Sequence, residues 1–154
     1  GGAVGAYGGA AATVDRLARE LRGESSPPPV LPLVQDLADP SPGLGWRGRE
    51  RGRLEDRARP DLILGLALIH HLALSANLPL AEVLDEFAAL GCEAVLEWVD
   101  RADPMVERLL RHKSERHEDY DLSRFEAEIV ARFAVRSRAE LPSGGRILYH
   151  LAPR

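Results

Sequence analysis

The sequence contains a single cysteine and few aromatic residues. Cys92 is the one cysteine among 154 residues, and aromatic residues make up 5% of the chain. A lone cysteine excludes an internal disulfide, so we expect a cytoplasmic protein, in a compartment where thiols stay reduced. Cys92 opens an apolar run, a context that favours a small buried side chain over a nucleophile.

Long apolar runs and a positive net charge are absent as well. No run reaches the roughly 20 apolar residues that a membrane-spanning helix needs. The opening GGAVGAYGGAAA has neither the basic start nor the apolar region of a secretion signal. We therefore expect no membrane partner. The formal net charge of -4 argues against a nucleic-acid partner, although six arginines between Arg47 and Arg59 form a local basic patch.

The remaining features predict one α/β domain after a short leading segment. Residues 1–12 are mostly glycine and alanine, and residues 13–154 are long enough for one domain with one core. Apolar residues at helical spacing predict a helix from Thr13 that stops at Gly23. The prolines that follow exclude a helix, and Val30–Val34 then reads as a buried strand.

The central stretch runs from Asp61 to His71, with the sequence DLILGLALIHH. Continuous rather than alternating hydrophobicity predicts a strand covered on both faces, as in a parallel sheet. Ligands of such sheets bind beyond the carboxyl ends of the strands, which makes His70 and His71 candidate catalytic residues. The alternative is a structural histidine, hydrogen-bonded to a loop carbonyl.

The second half of the chain alternates helices and strands and closes with a hairpin. Asn77 and Pro79 suit the cap and first turn of a helix, and Asp103 with Pro104 suits another. Ser123 and Glu126 have the spacing of a capping box. The remaining predicted elements are a strand over Cys92–Val99 and a hairpin of Phe133–Leu141 with Arg146–Leu151.

Polar residues follow two of these strands and form candidate binding positions. Asp36 lies just past Val30–Val34, where its carboxylate either meets a ligand or closes an Asx turn. Glu97 and Trp98 lie at the carboxyl end of the later strand, and they are candidates for contacts with a substrate.

The segment from Asp39 to Arg59 has almost no helical or strand periodicity. A long irregular connection in a compact domain is usually functional or disordered. Trp46 could stack on a planar substrate, and Arg47 and Arg49 could hold a phosphate or carboxylate. The alternative is a solvated loop with Trp46 folded back on the core.

A metal site is the weakest of the candidate sites. His112 and His117 lie among carboxylates, but four residues separate them, which does not place both on one face of a helix. A solvated, charged connection is therefore favoured, and we predict no metal ligands.

The order and spacing of four segments resemble the class I S-adenosylmethionine-dependent methyltransferases. The resemblance implies an α/β, Rossmann-like, mostly parallel sheet with helices on both faces and a C-terminal antiparallel hairpin, here N-terminally truncated or degenerate. The segments lie between residues 30 and 151 and read VLPLVQDLADPSPGLGWRGRER, DLILGLALIHHLALSANLPL, VLEWVDRADPMVERLL and GGRILYHL.

The resemblance also implies residue roles. Asp36, with Leu37 behind it, matches the acidic position that meets the adenine of the cofactor, S-adenosylmethionine. The segment from Leu68 to His71 matches the one near the transferred methyl group, so Leu68 is a further candidate for cofactor binding. His70 or His71 would then be the base for an acceptor that must lose a proton.

The departure from the family lies at the N-terminus. The family's first strand and glycine-rich loop have no counterpart, and Gly8 and Gly9 stand where an acid should hold the ribose. A missing central strand would leave backbone groups unpaired. Either the chain is a fragment, or Ala3–Tyr7 moves into the vacant place with Asp36 in the ribose role, or the cofactor no longer binds.

Two functions follow from this reading. The first is a methyltransferase, or the C-terminal portion of one, acting on a small-molecule acceptor. The second is a non-catalytic interaction module that binds an anionic or protein partner through its arginine loop. An open sheet edge makes a homodimer a further expectation.

Overall fold

The structure is a computed structural model, and the chain divides into two compact units. The units are Gly1–Arg57 and Ala58–Arg154. The structure describes residues 4–8, 11–25, 30–40, 42–53, 56, 60–111, 113, 117, 119–142 and 144–154. Within these ranges, none of the helices has the length and apolar character needed to span a membrane.

Among its described residues, the first unit has a two-stranded parallel sheet and a helix of 13 residues. Strand β1 is Val4–Gly8, helix α1 is Ala11–Gly23 and strand β2 is Val30–Val34. The two strands pair in register from Val4 opposite Val30 to Gly8 opposite Val34. The predicted helix and second strand are therefore confirmed. Strand β1 overlaps the segment Ala3–Tyr7, which one of the three alternatives moved into the vacant place, and it pairs with β2. The proline-rich residues 26–29 lie outside the described ranges.

The second unit is built on a four-stranded mixed sheet in the order β3-β4-β6-β5. Strand β3 runs parallel to β4, whereas β4 with β6 and β6 with β5 are antiparallel. Its elements are β3 Leu62–Gly65, a π-helical turn His71–Ser75, α2 Leu80–Ala89, β4 Glu93–Val99, α3 Pro104–Leu110, α4 Leu122–Arg132, β5 Phe133–Glu140 and β6 Arg146–Pro153.

This topology overturns the predicted fold class. The prediction was one Rossmann-like, mostly parallel sheet with helices on both faces. The structure has two separate sheets, and two of the three pairings in the larger one are antiparallel. The C-terminal hairpin itself is confirmed, because β5 and β6 pair along their length around a bulge between Val135 and Ser137.

Strand β3 is shorter and less buried than the apolar run predicted. It occupies four residues at one edge of the sheet, with β4 as its neighbour. Leu62 is 46% exposed and Leu64 is 63% exposed, so the expected cover on both faces is missing. A continuous apolar run is therefore compatible with an edge strand whose outward side chains face solvent.

The core of the second unit includes an aromatic cluster, which packs among buried aliphatic side chains. Trp98 stacks on Tyr120 with ring centroids 4.3 Å apart, and it meets Phe125 at 4.9 Å. Phe125 in turn meets the edge of Tyr149 at 5.5 Å. The Tyr120 hydroxyl donates to the Val99 carbonyl at 2.7 Å, so the buried phenol is satisfied. Helix α4 is held over the sheet by this cluster.

The caps of the helices follow the predictions in part. Asp103 caps α3, as predicted, by accepting a hydrogen bond from the Met105 amide at 2.9 Å. Helix α4 begins at Leu122, and its cap is Asp121 rather than Ser123, so the predicted capping box is wrong. For α2 the cap residue is Pro79, while Asn77 precedes it with a positive φ of 58°.

The position of the cap gives a first prediction. Changing Asp121 to alanine should lower the free energy of unfolding by about 1 kcal/mol, because the amides of Ser123 and Arg124 lose their acceptor. Changing Ser123 to alanine should cost only a few tenths of a kcal/mol. Urea unfolding of both variants measures the two losses of stability. A larger loss in the Ser123 variant would show that Ser123 caps the helix.

Candidate functional site

The site begins where the chain leaves β3. Ala67 adopts a left-handed conformation with a φ of 49°, which costs a residue with a side chain on the order of 1 kcal/mol. Its amide donates to Oε2 of Glu97 at 2.8 Å. This bond fixes the turn after β3 against the side chain of β4, and the turn places the next residues at the carboxyl ends of both strands.

Glu97 is a buried carboxylate with two partners. It is 6% exposed, and besides the Ala67 amide it accepts from Nη1 of Arg146 at 3.1 Å. Nε of Arg146 donates to Oδ2 of Asp103 at 2.8 Å. Asp103 also caps α3, so one guanidinium joins the end of β4, the start of β6 and the start of a helix. We call Glu97, Asp103 and Arg146 the charged triad.

The hydrogen bond between Asp103 and Arg146 also shifts the pKa of both groups. The hydrogen bond from Arg146 is the main cause that holds the pKa of Asp103 below its usual range. The same bond raises the pKa of Arg146. Both groups therefore stay charged at neutral pH, and the cation is shared between two carboxylates.

His70 lies beside the triad and is almost fully enclosed. It is 4% exposed, and its Nδ1 atom is buried without a hydrogen-bond partner. Burial is the largest cause that lowers its pKa from 6.5 to about 4, and the charges of His71 and Arg146 lower it further. The carboxylates of Asp103 and Glu97 act in the opposite direction. At neutral pH the imidazole is uncharged and has a ring nitrogen able to accept a proton.

His71 and Leu68 complete this end of the sheet. The two imidazole rings are 4.3 Å apart and tilted by 37°, but His71 is exposed where His70 is buried. The Leu68 carbonyl accepts from the amides of His71 and Leu72 at 3.0 and 3.2 Å. Leu68 therefore starts the turn that presents the histidines, and its carbonyl is engaged in holding it.

Trp98 does not join this site. Successive residues of a strand point to opposite faces, so Trp98 lies in the aromatic core while Glu97 faces the triad. Trp98 is among the residues that line a cleft of about 240 Å³, together with Asp100, Arg138 and Arg146. Its Nε1 atom is buried without a hydrogen-bond partner.

The other predicted residues belong to the first unit. Asp36 is exposed, and its Oδ1 accepts from the Ala38 amide at 2.9 Å, which is the Asx turn that the sequence left open. Leu37 follows it and is half-buried. One carboxylate oxygen of Asp36 thus holds the turn.

Trp46, Arg47 and Arg49 lie on a compact turn of the same unit. Trp46–Gly48 forms a 3₁₀ turn, and Trp46 is 78% exposed rather than folded back on a core. Arg47 has a φ of 59° and a ψ of 25°, a left-handed conformation that costs roughly 1 kcal/mol for a side-chain-bearing residue. The arginines and Trp46 are all solvent-exposed.

The structure thus brings some of the predicted site residues together, and it adds Asp103 and Arg146 to the site. His70, His71, Leu68 and Glu97 meet at one end of the second unit's sheet. Asp103 was predicted only as a cap, and Arg146 was missed. Arg146 follows a turn of glycines, and only the register that sets it opposite Val99 brings its side chain to Glu97. No local pattern of the sequence indicates that register.

The part of the chain that the structure describes holds no cluster of three residues suited to a metal ion. His117 is described, and its carbonyl accepts from Nη1 of Arg101 at 2.7 Å. His112, its proposed partner in a metal site, lies outside the described residues.

Comparison with known proteins gives one related sequence. The chain is 34% identical over 119 residues to the nodulation protein NoeA of Rhizobium meliloti strain 1021. The match covers 77% of this chain and 25% of the relative, so the chain spans about a quarter of the protein that it matches. No family model matches the chain, and no solved structure matches it.

The triad gives a second prediction, on coupling between charges. In a double-mutant cycle of Glu97→Gln and Arg146→Met, we expect a coupling of about 1 to 3 kcal/mol, because each single change leaves the other group poorly compensated. The exposed pair of Glu93 and His150, 3.0 Å apart on the same two strands, is the matched control and should couple by at most about 0.5 kcal/mol. Unfolding in urea measures both coupling energies. Equal values would show that the buried pair of Glu97 and Arg146 is coupled no more strongly than an exposed pair.

The enclosure of His70 gives a third prediction, on pH. The unfolded chain binds a proton near pH 6.5 and the folded chain near pH 4, so stability is complete above pH 6.5 and falls as the pH drops between these values. Relative to His70→Gln, the wild type should lose about 3 kcal/mol between pH 7 and pH 4. Urea unfolding across this range is the measurement. The control His150→Gln keeps His70 and should keep the loss, whereas a loss that survives in His70→Gln would contradict the assignment.

Proposed function

We propose that this chain carries the acceptor side of an S-adenosylmethionine-dependent methyltransferase that acts on a small molecule, with His70 as the base. The observation that supports the proposal most is the enclosed, uncharged His70 beside the charged triad. It lies in the segment whose sequence resembles the part of these enzymes near the transferred methyl group. The proposal rests on this site and on the four sequence segments.

Methyl transfer requires the protein mainly to align the reactants and to accept a proton. S-adenosylmethionine, when bound, supplies a methyl group on a sulfonium, which is already activated for an in-line displacement. An oxygen or nitrogen acceptor must lose a proton in that reaction. His70 would hold the proton on a ring nitrogen, where the negative charges of Asp103 and Glu97 favour the protonated ring. Its low pKa keeps the ring uncharged at neutral pH but also lowers its basicity, because a general base works best with a pKa near the operating pH. Burial keeps the site dry.

The residues that would hold the cofactor fit it in part. Asp36 has one carboxylate oxygen left after its turn bond, which suits a hydrogen bond from an adenine amino group. The acid that would hold the ribose is replaced by glycines, and the glycine-rich loop of the family has no counterpart in this sequence. We therefore assign the acceptor end to this chain and no residue to the methionine end of the cofactor.

The relative does not identify a substrate. The name of NoeA ties that protein to nodulation and states no reaction. We propose for this chain a cytoplasmic location and a small-molecule acceptor.

A thermal-shift experiment tests the cofactor and gives a fourth prediction. The chain should melt at a higher temperature with S-adenosylhomocysteine, and ligand at a hundred times its Kd should add about 2.7 kcal/mol of stability. Asp36→Asn should reduce this shift, because the amide places a donor where the adenine amino group needs an acceptor. His70→Gln should keep the shift, since the base does not bind the cofactor.

The outcomes separate the parts of the proposal. Cooperative melting that is unchanged at millimolar S-adenosylhomocysteine would count against a methyltransferase. A shift that survives in Asp36→Asn would leave the activity standing and remove that residue from the cofactor site.

A further inference from the structure

The turn around Trp46 has a backbone that is fixed from several directions. Leu44 and Arg51 face each other in an isolated antiparallel bridge, with hydrogen bonds of 2.9 and 3.1 Å in the two directions. Inside it, the Gly48 amide donates to the Gly45 carbonyl at 3.0 Å. A Cβ built on Gly43 would lie 2.9 Å from the Gly48 carbonyl oxygen. The turn is therefore a closed and closely packed loop, although none of the residues of its 3₁₀ segment is buried.

The exposed side chains of Trp46 and Arg47 add little to a core. Trp46 is 78% exposed, so its apolar surface contributes little to a core. Arg47 holds a left-handed conformation that glycine would adopt without strain. Strain kept at an exposed position without a packing role points to a function for the side chain.

The charge around Trp46 is positive. Arg47, Arg49 and Arg51 are exposed, and Glu50 is the acidic residue among them. In the described part of the first unit, neither Arg47 nor Arg49 lies within ion-pair distance of a carboxylate. Guanidinium groups bind phosphate and carboxylate through paired hydrogen bonds, and an exposed indole offers a flat surface for stacking.

We propose that the turn from Leu44 to Arg51 binds a planar aromatic ligand that carries an anionic group. The ring stacks on Trp46, and the phosphate or carboxylate pairs with Arg47 and Arg49. Preorganisation by the bridge lowers the entropy lost on binding. The site belongs to the first unit alone and is independent of methyl transfer, so the two proposals fail separately.

Fluorescence titration of the full chain tests the site. The chain has two tryptophans, and Trp98 is buried, so quenching by a ligand in solution reports on Trp46. The probes are uridine monophosphate and nicotinate, with uridine and inorganic phosphate as the halves of the first. We expect one or both complete probes to quench Trp46 and to bind about tenfold more tightly than either half, because stacking on one aromatic ring is worth about that factor. The better probe identifies the anionic group as phosphate or carboxylate.

Four variants, one of them a control, separate binding from stability, and ligand-observed NMR follows them. Arg49→Ala should weaken binding of the better probe about tenfold, whereas Arg22→Ala, in an exposed arginine of α1, should leave it unchanged. Arg47→Gly should also weaken binding while its melting temperature stays equal or rises, which loss of a structural residue would not produce. Trp46→Ala should weaken binding by a similar factor.

Three results would overturn the proposal. The first is the absence of saturable binding by either complete probe to the wild type. The second is inorganic phosphate that binds as tightly as uridine monophosphate, which would leave Trp46 without a role. The third is an equal loss of affinity in Arg22→Ala and Arg49→Ala, which would show that binding depends on the overall charge of the chain and not on Arg49.

Discussion

The site in the second unit depends on one constraint, which is that the carboxylate of Glu97 is buried and must be paired. An isolated charge at this depth would cost several kcal/mol. Arg146 and the Ala67 amide satisfy it, and each of these partners fixes a different part of the unit. The amide bond holds the left-handed turn after β3, and the guanidinium holds the start of β6 against α3. His70 lies within electrostatic reach of Glu97, Asp103 and Arg146 and is buried.

The same constraint explains why local sequence patterns predicted only part of the site. The candidates at the carboxyl ends of strands followed from hydrophobic runs and their boundaries, and His70 and Glu97 do lie together. Arg146 could not be predicted, because its place depends on the register of β6 against β4, which is a long-range property. Trp98 was predicted beside Glu97 for the same positional reason, but adjacent strand residues face opposite sides, and the indole went to the core.

Most of the individual helices and strands were predicted correctly, but the way the strands pair into sheets was predicted wrongly. The helices, the strand Val30–Val34 and the C-terminal hairpin are present, since each is determined by nearby residues. The single parallel sheet is absent, because strand partners are chosen by contacts far apart in sequence. The run Asp61–His71 shows the difficulty in one segment. Its apolar residues predicted a fully covered strand, and the structure forms only four residues of strand at a sheet edge.

That edge has a consequence for the behaviour of the chain in concentrated solution. Among the described residues of the second unit, strand β3 has unpaired backbone groups along its outer side and leucines that face solvent. It contains no lysine, proline or bulge that would hinder pairing with a strand of another chain. In the second unit taken by itself, such an edge can pair with the same edge of a second copy, and this pairing would set up a balance between single chains and paired ones. A charged residue in place of Leu64 would shift that balance towards single chains, at little cost to a side chain that is already largely in water.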